Sequence, residues 1–191
     1  MKILTSSKIA SATENKYIFF DNDFLSELFH DEEVFKEVLN IFPNNPLVVD
    51  PLTKFEFLRS VFLPSQTNLK KAFIEKDIFA PATLYQEIFK KLQDNALLLS
   101  KIYAHQDRNR GTAKYSFVDL FLAARLMFQY NIALLVTGNK KDFPSYLFEV
   151  IGVINIEQAD GIMKPYTVLR FNNDKFKKCN DELTSLQKKN S

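Results

Sequence analysis

The chain has 191 residues, with 25 Lys and Arg against 23 Asp and Glu and a formal net charge of +2. A chain of this length builds a core without disulfides or structural metal, and its charge balance neither demands nor excludes a nucleic-acid partner. One cysteine, Cys179, excludes a disulfide framework within the chain, and the apolar runs fall short of the ~18 residues of a membrane span. With a polar N-terminal stretch that lacks a signal peptide's apolar core, this implies a soluble cytoplasmic protein with no membrane association.

Residues 1–16 read as a flexible or loosely docked leader. Residues 17–20 (YIFF) predict a strand broken by Asp21-Asn22-Asp23, after which Phe24, Leu25, Leu28 and Phe29 fall at helical spacing. A second helix over residues 31–41 ends at Pro43 and Pro46, and residues 47–49 (LVV) predict a second strand. Residues 53–62 predict a helix with Phe55, Leu58 and Phe62 inward, opening on the capping-box pattern Thr53-x-x-Glu56. Further helices are expected over residues 65–76 and 81–103, then a polar loop over residues 105–114. The stretch 116–144 is the most informative. A helix capped at Ser116 carries Asp119 in its first turn and an apolar body, residues 120–127. An apolar strand over residues 132–137 follows, then Gly138-Asn139 and Lys140-Lys141-Asp142. Apolar runs at 150–154 and 167–171 predict two more strands, and residues 173–191 an amphipathic, Lys-rich helix in which Cys179 is an incidental surface thiol. Strands alternating with helices predict a parallel sheet covered on both faces.

Asp21 follows the first strand, Glu56 lies one turn into the helix after the second, Asp119 one turn into the central helix, and Asp142 just after the third strand. If those strands are neighbours, all four carboxylates converge above one sheet edge, where ligands bind in open α/β sheets. Like charges so placed resist ionising together, and a hard cation relieves them; oxygen ligands point to Mg2+ or Mn2+. Such an ion activates water against a phosphodiester. Each acid also has a structural reading. Ser116-x-x-Asp119 and Thr53-x-x-Glu56 are both capping boxes, Asp21 fits an N-cap, and Asp142 fits a solvated surface position.

Three stretches carry a family resemblance. FFDNDFLSEL at residues 19–28 resembles the opening motif of PIN-domain nucleases, and DPLTKFEFLR, with Glu56, their second. DLFLAARLMFQYNIALLVTGNKKDF at residues 119–143 is similar to their third and fourth motifs, including the closing T-x-N-x-x-D-F. The resemblance spans residues 17–156 or so. It implies a three-layer α/β/α PIN-like fold with a central mostly parallel sheet, residues 17–172, and a helical insert after the second strand at about residues 65–104. It further implies a metal-dependent ribonuclease in which Asp21, Glu56, Asp119 and Asp142 form the acidic site. Asp21, Asp119 and Asp142 would hold Mg2+ or Mn2+, with Thr137 and Asn139 as polar support. Many bacterial members are toxins of toxin–antitoxin pairs and form dimers, so an antitoxin protein and a homodimer join RNA as implied partners. The chain departs from the family pattern at Asp23, where Asn is commoner, at Gly138, where a basic residue is frequent, and in the length of the insert. Asp23 leaves the choice of ligand between it and Asp21 open, with Asp21 preferred.

Arg108, Arg110, Lys140 and Lys141 are the candidate RNA contacts, joined by Lys101 and Lys114 near the central helix, and the tail lysines form a second cluster. Two other classes fit parts of the pattern. One is a non-catalytic PIN-like module that binds RNA or protein. The other is a haloacid-dehalogenase-like phosphatase, for which Asp21-Asn22-Asp23 supplies a D-x-D opening but no paired acids follow Lys140.

Overall fold

The computed structural model describes residues 3–6, 9–82, 86–107 and 115–189. In chain order the elements are β1 (Ile3–Thr5), α1 (Ile9–Thr13), β2 (Tyr17–Phe20), α2 (Asn22–His30), α3 (Glu32–Ile41) and β3 (Leu47–Val49). They continue with α4 (Pro51–Arg59), α5 (Pro64–Ile74), β4 (Phe79–Pro81), α6 (Gln86–Gln106) and α7 (Phe117–Phe128). Last come β5 (Ala133–Thr137), a 3-10 turn (Lys140–Asp142), β6 (Phe148–Glu157), β7 (Met163–Phe171) and α8 (Asn173–Lys189).

The protein is α/β, with one seven-stranded mixed sheet in the order β1-β6-β7-β5-β2-β3-β4. β5, β2, β3 and β4 pair in parallel, while β7 on β5, β6 on β7 and β1 on β6 are antiparallel. Five of the seven strands (β2 to β6) therefore point one way, and the sheet is mostly parallel in direction. The short central strands bury both faces, with alternate residues entering opposite cores. Ile18, Phe20, Leu47, Val49, Leu134 and Val136 pack with residues of α2, α3, α4 and α5. Phe19, Val48, Ala133 and Leu135 pack instead with residues of α6, α7 and α8. The abundant phenylalanines have a packing role on the first of these faces. Phe29 packs edge to face with Phe57 and Phe73, and Phe73 continues edge-on to Phe35 and Phe79, with ring centroids 5.3–5.6 Å apart, while Phe57 and Phe73 are tilted at 6.3 Å.

Several expectations are corrected. The leader is docked: β1 pairs with β6, and Ile9 of α1 is 1 % exposed. Residues 79–81 form an edge strand on β3, so the stretch between β3 and β5 is not helical throughout. The last two strands are antiparallel because the turn after Glu157 is tight. Gly161 takes φ +79, its N–H donates to Gln158 O (2.9 Å), and Asp160 Oδ1 accepts from Ile162 N (3.0 Å). So short a loop returns the chain beside itself, and only a longer crossover yields a parallel pair.

The helix after β3 begins at Pro51, capped by Asp50, whose Oδ1 accepts from Leu52 N at 3.0 Å. α4 starts two residues earlier than the Thr53 signal, buries Thr53 and Phe57 and leaves Phe55 61 % exposed; it ends at Arg59, and Phe62 beyond it is 90 % exposed. Cys179 is buried against α6 and α7 residues, its Sγ 3.7 Å from Tyr146 O, and is no surface thiol. Arg125, to which the sequence assigned no role, is buried and donates through Nε to Asp50 Oδ2 at 3.1 Å. Among the described residues, no helix is long and apolar enough to cross a membrane.

Candidate active site

Asp21 ends β2 and caps α2, as the break after YIFF implied. Its Oδ1 accepts from Asn22 N at 2.6 Å and its Oδ2 from Thr137 Oγ1 at 2.7 Å. Thr137 ends β5, the parallel neighbour of β2, so two strand ends meet through one hydrogen bond. Thr137 Oγ1 also accepts from Asn139 N at 2.9 Å, and Asn139 donates through Nδ2 to Asp142 Oδ2. The expected supporting roles of Thr137 and Asn139 therefore correspond to direct contacts with Asp21 and Asp142.

Asp119 stands one turn into α7. Ser116 caps that helix, its Oγ accepting from Asp119 N at 3.0 Å while its hydroxyl donates to Asp119 Oδ2 at 2.6 Å. The capping interaction is real, yet it occupies one carboxylate oxygen and leaves the group facing the other acids. Glu56 lies on α4, 3.5 Å from the Arg59 guanidinium. It is not part of a capping box, because Asp50 caps that helix and the Thr53 hydroxyl has no hydrogen-bond partner among the described residues.

The electrostatics tie these groups together. Burial, with the charges of Asp23 and Asp119 added and Thr137 opposing, pushes the Asp21 carboxyl from 3.8 up to about 7. Burial also raises Asp23, Glu56 and Asp142, and in each case the Asp119 charge adds to the rise. Asp119 thus acts on four other carboxylates, which come from α2, α4 and the ends of β2 and β5. The charge of Asp119 bears on Asp21, Glu56 and Asp142, the residues singled out from sequence, and on Asp23 as well.

Asp23 and Gly138 explain each other. Gly138 N donates to Asp23 Oδ2 at 3.0 Å, and a Cβ on Gly138 would stand 2.3 Å from that oxygen. The carboxylate of Asp23 occupies the space a side chain at position 138 would need. Its other oxygen, Oδ1, is buried with no hydrogen-bond partner among the described residues, as is Asn22 Oδ1. Unpartnered carboxylate oxygen beside neighbours that resist ionisation is chemistry suited to a hard cation. Among the described residues, however, no three His, Cys, Asp or Glu side chains already form a metal-holding group. The donor types fit Mg2+ or Mn2+, while the ligand set is not closed around an ion.

Basic residues rim the cluster. Lys141 counters Asp142, Arg59 counters Glu56, and Lys164 of β7 counters Asp23. Lys140 and Lys141 are exposed in the 3-10 turn after β5, as placed from sequence. Arg108, Arg110 and Lys114 lie outside the described residues. Sequence reasoning missed Arg59 and Lys164. The first was readable as a helical i, i+3 partner of Glu56. The second had no local signal, since β7 reaches this edge only through its pairing with β5.

A further polar group adjoins the site. Asp107 Oδ2 accepts from the Tyr115 and Tyr146 hydroxyls, the latter at 3.0 Å. Tyr103, buried with its ring centroid 4.3 Å from that of Tyr115, has its pKa raised by burial and then by the charges of Tyr115, Asp119 and Asp142. In comparisons with protein-family models, curated proteins and solved structures, none matches this chain.

Proposed function

We propose that the protein is a Mg2+- or Mn2+-dependent endoribonuclease of PIN-like, three-layer α/β/α type that hydrolyses RNA phosphodiester bonds. The observation that carries this reading is the mutual pressure of five carboxylates at one strand edge, with Asp21 raised to about 7 and Asp119 acting on the other four. Helical residues packed against both faces of the sheet support the fold assignment.

On this reading Asp21, Asp119 and Asp142 hold the cation, and the free oxygen of Asp23 makes it a fourth donor. When bound, the ion supplies charge neutralisation at the phosphate and an acidified water. The chain's own contribution is orientation. Thr137 and the Asn22 N–H fix both oxygens of Asp21, Asn139 turns Asp142, and Ser116 holds one oxygen of Asp119. Glu56, kept beside Arg59 at the opening of the cluster, accepts a proton from the attacking water or orients it. Lys140, Lys141 and Lys164 offset the repulsion between five acids and a polyanion.

The test is cleavage of a mixed single-stranded RNA pool by wild type and Asp119→Asn, each with Mn2+, with Mg2+ and with EDTA. Asn retains an oxygen for the Ser116 hydroxyl, so the helix cap and the fold survive. Cleavage is expected to require both the metal and Asp119. An Asp119→Asn protein that is folded and cuts as well as wild type would end this assignment.

A further inference from the structure

The β6–β7 ribbon outruns the rest of the sheet beside the acidic edge. Thr137 with Thr167 is the last pair between β5 and β7, whereas β6 and β7 stay paired as far as Glu157 with Met163. Residues 163–166 therefore continue four residues past the end of β5, roughly 13 Å of strand. They form a wall on the side of the cluster where Asp23 and Gly138 lie.

That wall is clamped to α2 by one side chain. Glu27 accepts hydrogen bonds from the Tyr166 hydroxyl (2.6 Å), Gln158 Nε2 (3.1 Å) and Lys164 Nζ (3.2 Å). Burial raises the Glu27 carboxyl, but the three donors outweigh it and hold the group below the usual carboxylate range. The Lys164 ammonium also sits 4.9 Å from the centre of the Tyr166 ring, while its side chain is 43 % exposed. An ammonium carries three donors, and the clamp uses one. The others face solvent at the cluster's rim, close enough for the charge to act on Asp23. A free lysine loses side-chain freedom when it grips a ligand; one already held loses less.

We propose that Lys164, positioned by the Glu27 clamp on the overhanging β6–β7 ribbon, binds a backbone phosphate of single-stranded RNA beside the acidic cluster. The inference rests on the nuclease reading, and it names the wall along which the substrate strand runs. Lys141, whose charge acts on Asp142, is a second cation at the cluster.

The experiment compares wild type, Lys164→Ala, Lys164→Arg and, as a control remote from the cluster, Lys36→Ala. Cleavage of a fluorescein-labelled mixed-sequence oligoribonucleotide is followed with Mn2+ over a range of NaCl, and anisotropy records binding of the same probe in EDTA. Lys164→Ala is expected to raise KM roughly three- to tenfold at ~150 mM salt, with a smaller change in kcat, and to reduce the slope of log affinity against log salt by about 0.7. Lys164→Arg restores KM; Lys36→Ala changes nothing. If wild type cleaves and Lys164→Ala keeps its KM and salt slope, the proposal is overturned while the nuclease reading stands. The same holds if Lys164→Ala loses affinity only in step with its melting temperature and Arg fails to rescue it. Binding that depends on Lys164 without cleavage under either metal would overturn the nuclease reading and leave Lys164 as an RNA contact. A wild type that neither binds nor cuts the probe overturns both.

Discussion

Replacing Asp21 by Asn is expected to stabilise the metal-free protein. The rise of the Asp21 carboxyl from 3.8 to about 7 means that ionising it costs more in the folded than in the unfolded chain. At ~1.4 kcal/mol per pH unit the difference amounts to about 4 kcal/mol. The sign follows from proton counts. Between about pH 4 and pH 7 the folded chain keeps a proton that the unfolded chain has released, so this group lowers stability as pH rises and its effect levels off above 7. Asn carries no charge and remains a good N-cap, but it offers one acceptor where Asn22 N–H and Thr137 Oγ1 now use two. Losing one such bond costs about 1 kcal/mol, which leaves a net gain of about 3 kcal/mol at pH 8. For a chain of this size that corresponds to roughly 6–12 °C in melting temperature. Thermal unfolding of both proteins in EDTA, at intervals from pH 4 to pH 8, measures it. The difference should grow with pH up to about 7, and Mn2+ should stabilise wild type more than the variant. An Asn variant less stable than wild type at pH 8, or a difference that ignores pH, would show that Asp21 is an ordinary capping residue.

Three other outcomes follow from the packing. Gly138→Ala displaces the Asp23 carboxylate from Gly138 N and crowds Tyr166, with an expected loss of about 1–3 kcal/mol in chemical denaturation. Arg125→Ala strands Asp50 as a buried, uncompensated charge and should cost about 3–5 kcal/mol, whereas Arg125→Met combined with Asp50→Asn should cost less than the sum of its parts in a double-mutant cycle. Phe57→Ala should lose about 3–5 kcal/mol, while Phe62→Ser, at a 90 % exposed position, should stay within about 0.5 kcal/mol; equal losses would contradict the burial of the one and the exposure of the other.

Much of the acidic site was legible because its parts are local. Asp21 and Asp142 follow apolar runs too short for helices, and Ser116 and Asp119 open an apolar helix, so strand end, cap and acid are each written within a few residues. The same locality misled at α4. Thr53-x-x-Glu56 is a sound capping pattern, but Asp50-Pro51 two residues earlier is a stronger start, with a capping carboxylate and a proline whose missing N–H costs nothing at the first turn. The helix also ends at Arg59, so Phe55 lies on its exposed face and Phe62 beyond its end, against the burial expected of both.

The sequence by itself determined the α/β class, the central helix–strand unit and the types of side chain delivered to the strand ends, because periodicity and capping act over one or two turns. Tertiary structure decided what no local pattern carries. The docking of β1 on β6 and the place of β4 at the far edge depend on pairing between distant segments. So does the reversal of β7 against β5, although the Asp160-Gly161 turn that starts it was readable. Arg125 finds Asp50 across 75 residues, and Lys164 finds Glu27 across 137. Pairings of that span are selected by the enclosure of both sheet faces as a whole, and they bring a lysine from β7 to the rim of an acidic cluster built on other elements.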